Sequence, residues 1–155
     1  MRGRLAALLA VAALLVSAAG AAAITRLPGF RTPTKNISCF FVLPHRDDVG
    51  KLLPGNLLCS IARASYAAKL QSACASRAGV DWHGWTLAPT RRGAVSCSGG
   101  ILYDPDRFRP GYVTLGYGEK LARLGITCVS ATRGVTCTNA RGHGLFISRT
   151  SWRVW

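Results

Sequence analysis

The sequence predicts a small, mainly β domain, an antiparallel sandwich or curled barrel that disulfides stabilise and that contains at most short helical turns. Three observations support this prediction. Six cysteines are spread along the chain after an apolar leader. Short β-prone runs alternate with segments that contain Gly and Pro. The stretch 125–149 has the pattern of a hairpin with a disulfide across its two strands.

The hairpin prediction follows from the spacing of two cysteines. Cys128 and Cys137 lie symmetrically about residues 132–133, so folding the chain there places Ala131 opposite Gly134 and the two cysteines opposite each other. Directly opposed residues on antiparallel strands have Cα atoms about 4.5 or 5.5 Å apart, and a disulfide accepts about 4.4–6.8 Å. The spacing therefore permits a cross-strand bridge, and the glycines at 142–144 predict a tight turn before a further strand.

Residues 1–23 have the pattern of a secretory signal peptide. Arg2 and Arg4 form a positive start, 5–16 is an apolar run, and the small residues that follow offer cleavage near Ala21–Ala23. An uncleaved anchor over 5–24 is the alternative, because about 20 apolar residues suffice to span a bilayer. Cleavage predicts a secreted protein, extracellular or in the periplasm or cell envelope, with no membrane span in the mature chain. That chain of about 130 residues is strongly basic, with a net charge of about +12.

The rest of the sequence predicts one domain. Residues 24–35 contain Pro28 and Pro33 and predict an irregular segment that leads into a single monomeric domain over 36–155. Loops are predicted at 44–55 and 103–112, a glycine-bounded break at 79–84, one or two helical turns within 62–75, and a turn or helical turn at 119–124. Strands are predicted at 36–43, 56–61, 85–89, 93–98, 113–117 and 145–148.

An even number of cysteines in a secreted chain of this size predicts a disulfide framework. Six cysteines allow 15 pairings, of which sequential pairing is the simplest. No CxxC or HxxxH spacing occurs, so a zinc site is not expected. No other metal site and no cofactor is predicted. The sequential pairs are Cys39–Cys59, Cys74–Cys97 and Cys128–Cys137.

The chain resembles a family of small secreted bacterial proteins of unknown function, common in actinobacteria. The matching pieces are TPTKNISC at 32–39, Asp81-Trp82 with Gly84, LGYG at 115–118 and the distinctive ending CVSATRGVTCTNARGHGLFISR at 128–149. The resemblance spans about 30–155. The chain departs from the family at His83, which interrupts Asp-Trp-Gly, and after Cys97, where an expected acidic residue is absent. The resemblance implies no activity and no catalytic residue.

Two residues are weak candidates for catalysis. His143 lies between two glycines that would expose its ring as an acid or base. Glu119 is the only glutamate, and a Glu–His pair would serve a small secreted nuclease-like hydrolase. The alternatives are a structural turn at His143 and a solvated turn residue at Glu119, and the enzyme is the less favoured reading.

The excess of basic residues is the broadest functional signal. Arginines near aromatic side chains would bind an anionic envelope polymer or nucleic acid, while a solvated basic surface is the alternative. The sequence therefore predicts a secreted or envelope-associated domain of unknown activity, non-enzymatic, that binds an anionic polymer or a protein partner. The candidate binding residues are Arg91, Arg92, Arg107, Arg109, Arg141 and Arg149.

Overall fold

Thirteen strands and one helix form the part of the chain that the computed structural model describes, residues 29–76, 80–99 and 112–155. The expected signal peptide and most of the predicted loop at 103–112 lie outside these ranges. The strands are β1 (Gly29–Arg31), β2 (Ile37–Val42), β3 (His45–Arg46), β4 (Leu52–Leu53), β5 (Asn56–Ile61), β6 (Asp81–Leu87), β7 (Ala94–Ser98), β8 (Val113–Thr114), β9 (Lys120–Arg123), β10 (Ile126–Ala131), β11 (Gly134–Asn139), β12 (Gly144–Ile147) and β13 (Trp152–Val154), and the helix is α1 (Ala67–Ala75).

The strands form two main sheets, which confirms the mainly β prediction. One sheet has the order β7-β6-β5-β2-β1-β8, the other has the order β13-β12-β11-β10-β9, and β3 and β4 form a separate hairpin. The described strand pairs are antiparallel except for β1 and β8, which are parallel. Within the described ranges, no helix is long and apolar enough to cross a membrane.

The hydrophobic core lies between the inner faces of the two main sheets. Buried and partly exposed residues alternate along β2 and β10, because successive side chains of a strand point to opposite faces. Phe41 and Trp85 of the first sheet and Val135 and Leu145 of the second are fully buried in one cluster. Each such side chain contributes about 1.5–3 kcal/mol on burial, so the two sheets stabilise each other as a sandwich.

Three disulfides tie these elements together, in the sequential pairing. Cys39–Cys59 joins directly opposed residues of β2 and β5, and Cys74–Cys97 joins α1 to β7. Cys128–Cys137 crosses the β10–β11 hairpin, whose register pairs Ala131 with Gly134 as the cysteine spacing predicts. Three disulfides fit a secreted or extracellular protein.

Several element predictions were wrong in ways that tertiary pairing explains. Residues 120–123 form β9 because they pair with β10, although a turn was expected there. Strand β6 begins at Asp81 and continues through the expected break. The register with β7 shifts between Trp82 and Trp85, and His83 and Gly84 lie within this irregularity. The expected loop at 44–55 contains the β3–β4 hairpin. Part of the expected lead-in segment forms β1, and Phe30 of β1 is fully buried.

Candidate functional site

A groove of about 710 Å³ opens at one end of the sandwich. Its walls are the turn between β1 and β2, the segment that follows β5, the tip of the β10–β11 hairpin and the loop between β12 and β13, with Tyr117 beside them. These connections are far apart in sequence, and the strand order brings their ends together. The volume lies within the range of about 300–1,000 Å³ that is usual for ligand sites.

Each of the four connections contributes one basic side chain to the groove. Lys35 and Arg63 come from the first sheet, and Arg133 and Arg149 come from the second. All four residues are exposed, and none forms an ion pair with a carboxylate in the described part of the chain. Among the described lining residues there is no Asp or Glu, so none of these residues offsets the positive charge of the four cations.

The side chain of Asn36 fixes the backbone of Arg63. Its amide oxygen accepts a hydrogen bond from the Arg63 backbone N–H at 3.0 Å, and its amide nitrogen donates to the Arg63 carbonyl at 3.1 Å. The neighbouring Lys35 has a φ of 57° and donates its backbone N–H to the Thr32 carbonyl at 2.8 Å. Lys35 and Arg63 therefore lie next to each other on backbone that local hydrogen bonds hold in place.

Ser65 bonds to the backbone of Arg149, and the side chains of Tyr66 and Ser148 bond to the backbone on either side of it. The Arg149 carbonyl accepts hydrogen bonds from the Ser65 backbone N–H at 2.9 Å and from the Ser65 hydroxyl at 3.3 Å. The Ser148 hydroxyl accepts from the Ser151 backbone N–H at 3.0 Å. The Tyr66 hydroxyl donates to the Ser148 carbonyl at 2.7 Å, and burial raises the pKa of Tyr66 to about 12. The segment after β5 and the β12–β13 loop are thus joined directly.

Arg133 lies in the two-residue connection of the β10–β11 hairpin. Ala131 pairs with Gly134 on either side of that connection, and Cys128–Cys137 bridges the same strands three residues further in. The position of Arg133 at the hairpin tip therefore follows from the register of the two strands. Thr132 beside it also lines the groove and adds a hydroxyl group.

The two catalytic candidates are not brought together. Glu119 is beside Ser130, near the hairpin tip, because its carbonyl accepts the Ser130 backbone N–H at 3.1 Å. His143 lies at the other end of β10 and β11, where its carbonyl accepts the backbone N–H of Asn139, the partner of Ile126. The predicted Glu–His pair is therefore separated by the length of strand β10, and its acid–base chemistry has no geometric basis.

The Gly-His-Gly sequence has a structural explanation. Gly142 has a φ of 79°, which a turn requires and glycine adopts freely. A Cβ on Gly144 would overlap the Cys137 carbonyl oxygen and would lie 2.6 Å from the Trp155 ring. The same ring donates its indole N–H to the Gly142 carbonyl at 2.9 Å. The two glycines thus permit a turn and the packing of Trp155.

The predicted arginine face divides into two ends of the molecule. The Asn139 side chain donates to the Arg91 carbonyl at 2.9 Å and accepts from the Arg141 backbone N–H at 3.0 Å, so Arg91, its neighbour Arg92 and Arg141 lie at one end. Arg149 lies at the opposite end of β12, in the groove. Arg107 and Arg109 lie outside the described residues.

Sequence reasoning missed three of the four groove cations, Lys35, Arg63 and Arg133. The signal that would have found Arg133 was already in the hairpin register, which places it at the tip. Lys35 and Arg63 follow from the pairing of β2 with β5, whose Ile37 and Ile61 are opposed. In both cases the pairing, and not the local sequence, identifies the end on which the residue lies.

Other kinds of site find no support in the described ranges. No group of three or more His, Cys, Asp or Glu side chains is placed to hold a metal ion there. All six cysteines are in disulfides, so none supplies a thiol nucleophile. In comparisons with protein-family models, curated proteins and solved structures, nothing matches the chain. The resemblance to a secreted bacterial family stays a prediction.

Proposed function

We propose that this protein is a non-enzymatic, monomeric domain that binds an anionic polymer in the groove and acts outside the cytoplasm after removal of residues 1–23. The observation that carries the proposal is the convergence of Lys35, Arg63, Arg133 and Arg149 on one groove with no described carboxylate in its lining. Cations that lie close together on fixed backbone attract a chain of repeated negative charges.

The positioning of these residues favours binding over a diffuse basic surface. Side chains of Asn36 and Ser65 hold the backbones of Arg63 and Arg149, so little backbone freedom remains to be lost when a ligand binds. Salt-dependent release of counterions from the polymer supplies most of the affinity of such contacts. The three disulfides support an oxidising location.

The test compares two variants that lose the same charge. Arg133→Ala/Arg149→Ala removes two groove cations, and Arg91→Ala/Arg92→Ala removes two exposed cations at the other end. Binding of the oxidised chain from residue 24 to a labelled oligothymidylate is measured by fluorescence anisotropy over a salt series. Each single-strand phosphate contact contributes a slope of about −0.7 in log K against log salt, and hence about eightfold in affinity at about 50 mM salt.

We expect a slope of about −2.8 for the unaltered protein and about −1.4 for the groove variant, with an affinity about 60-fold lower at about 50 mM salt. The Arg91/Arg92 variant should change affinity by less than about threefold, because exposed charges more than a Debye length away are largely screened. Equal losses in the two variants would mean that the groove is not the site. If the unaltered protein does not bind, the excess of basic residues is a feature of surface composition and has no role in binding a polymer.

A further inference from the structure

One aromatic side chain stands among the groove cations. Tyr117 lines the groove and is 44% exposed, although most other aromatic side chains of the described residues pack in or against the core. No ring contact of Tyr117 with another described aromatic residue is present. The Tyr117 side chain is therefore partly accessible to a ligand that lies along the groove.

Hydrogen bonds hold the turn that carries Tyr117, two of them to Ser130 and others within the turn. Gly118 has a φ of 87° and donates its backbone N–H to the Ser130 carbonyl at 2.8 Å. Glu119 accepts the Gly116 backbone N–H on its carboxylate at 2.7 Å, and its carbonyl accepts the Ser130 backbone N–H at 3.1 Å. Glu119, the only glutamate of the chain, thus closes the turn that carries Tyr117 and helps to fix the position of that residue.

We propose that the groove binds single-stranded nucleic acid, with a base stacked on Tyr117 and phosphates contacted by the surrounding cations. This inference rests on the proposed function and adds the class of polymer. Aromatic side chains beside a basic groove are the pattern by which proteins bind single strands without strict sequence preference, since every base has a stacking face. A phosphate polymer without rings gains nothing from an exposed tyrosine ring.

The size of the site favours a single strand over a duplex. A groove of about 710 Å³ holds a short segment of a polymer. In a duplex the base faces are stacked on one another and are not free to stack on Tyr117, whereas unpaired bases are. The ligand class is therefore single-stranded DNA or RNA, and the groove has no evident means of distinguishing the two.

The experiment uses two oligomers with the same phosphates. Oligothymidylate and an abasic oligodeoxynucleotide of equal length differ only in their bases, so a difference in affinity reports base contacts. The proteins are the unaltered chain from residue 24, Tyr117→Ala, Tyr117→Phe, and Val113→Ala as a control that trims another exposed side chain (56% exposed) outside the groove. Thermal unfolding of each variant checks that the fold is retained.

We expect oligothymidylate to bind at least about fivefold more tightly than the abasic oligomer, because base stacking contributes about 1–3 kcal/mol per base. Tyr117→Ala should abolish that difference and leave abasic affinity unchanged, while Tyr117→Phe and Val113→Ala should retain it. Equal affinity for the two oligomers, or a preference that survives Tyr117→Ala, would overturn the stacking role and leave the anion-binding groove intact. No binding of either oligomer would overturn both proposals.

Discussion

Lys35 offers a test in which stability and binding should change in opposite directions. Its φ of 57° lies in the left-handed region, which only one other described non-glycine residue, Leu124, adopts. For a residue with a Cβ this conformation costs about 1–2 kcal/mol. The strain is retained at the corner of the groove, where the lysine supplies one of four cations. The substitution Lys35→Gly removes both the strain and the charge.

The expected stability change follows from two opposing terms. Relief of the left-handed strain stabilises the folded state by about 1–2 kcal/mol, and the greater freedom of glycine in the unfolded chain costs about 0.5–1 kcal/mol. The net effect is a stabilisation of about 0.7 kcal/mol, which raises Tm by about 2.5 °C in a domain of about 130 residues. Differential scanning calorimetry of the oxidised protein measures this shift.

The binding change is measured on the same protein preparations. Loss of one phosphate contact should reduce the salt slope by about 0.7 and the affinity about eightfold at about 50 mM salt. Lys35→Arg keeps the charge and the strain, so its Tm and its salt slope should match those of the unaltered protein. Lys35→Asn tests the strain separately, because Asn tolerates the left-handed region better than Lys.

Two results would refute this reasoning. A lower Tm for Lys35→Gly would mean that the lysine side chain stabilises the fold by more than its backbone conformation costs. An unchanged salt slope would mean that Lys35 makes no contact with the polymer, and the number of groove contacts would fall to three. A higher Tm together with a weaker, less salt-dependent complex is the combination that the structure predicts.

Two further predictions concern packing, one beside the groove and one at the opposite end of the sandwich. Burial raises the pKa of Tyr66 from 10.0 to about 12, so its contribution to stability is full below pH 10 and is lost as the pH rises from 10 to about 12. Tyr66→Phe should unfold at a lower denaturant concentration at pH 7, because the Ser148 carbonyl loses its donor. In denaturant titrations above pH 10, the stability of this variant should decline less steeply than that of the unaltered protein. Gly144→Ala should lower the free energy of unfolding by about 2–3 kcal/mol, because the new Cβ overlaps the Cys137 carbonyl oxygen and the Trp155 ring. In Gly142→Ala the new Cβ meets no atom within 4 Å, so this variant should lose only about 1–2 kcal/mol to backbone strain. Urea unfolding of the two variants measures both losses, and the reverse order would contradict this explanation.

The parts of the fold that the sequence predicts well are those with strong local signals. Strand β5 has the predicted bounds, β2 lies within its predicted range, and the β10–β11 register agrees residue by residue. In these strands a period of two, a β-prone composition and a central cysteine all agree. Strands β1 and β9 have three and four residues and exist because a neighbour pairs with them. Of the strand predicted at 113–117, only Val113–Thr114 forms β8. Propensity carries little information about such pairing.

The candidate site was less predictable than the fold. A basic surface that binds polymers was predicted, but its residues were chosen by sequence proximity to aromatic side chains and to each other. That choice mixed Arg141 at one end of β12 with Arg149 at the other. It also paired His143 with Glu119 across the length of β10. Which end of a sandwich a loop occupies depends on strand order and direction, and these are properties of the whole chain.

The two cross-strand disulfides fix the pairing of the strands that position the groove cations. Cys39–Cys59 joins opposed residues of β2 and β5, the strands whose ends carry Lys35 and Arg63. Cys128–Cys137 does the same for β10 and β11, whose connection carries Arg133. A slip of one residue in either pair would turn every side chain of a strand to the other face. Each sheet therefore contains one covalent bond that fixes the register on which the position of the groove cations depends.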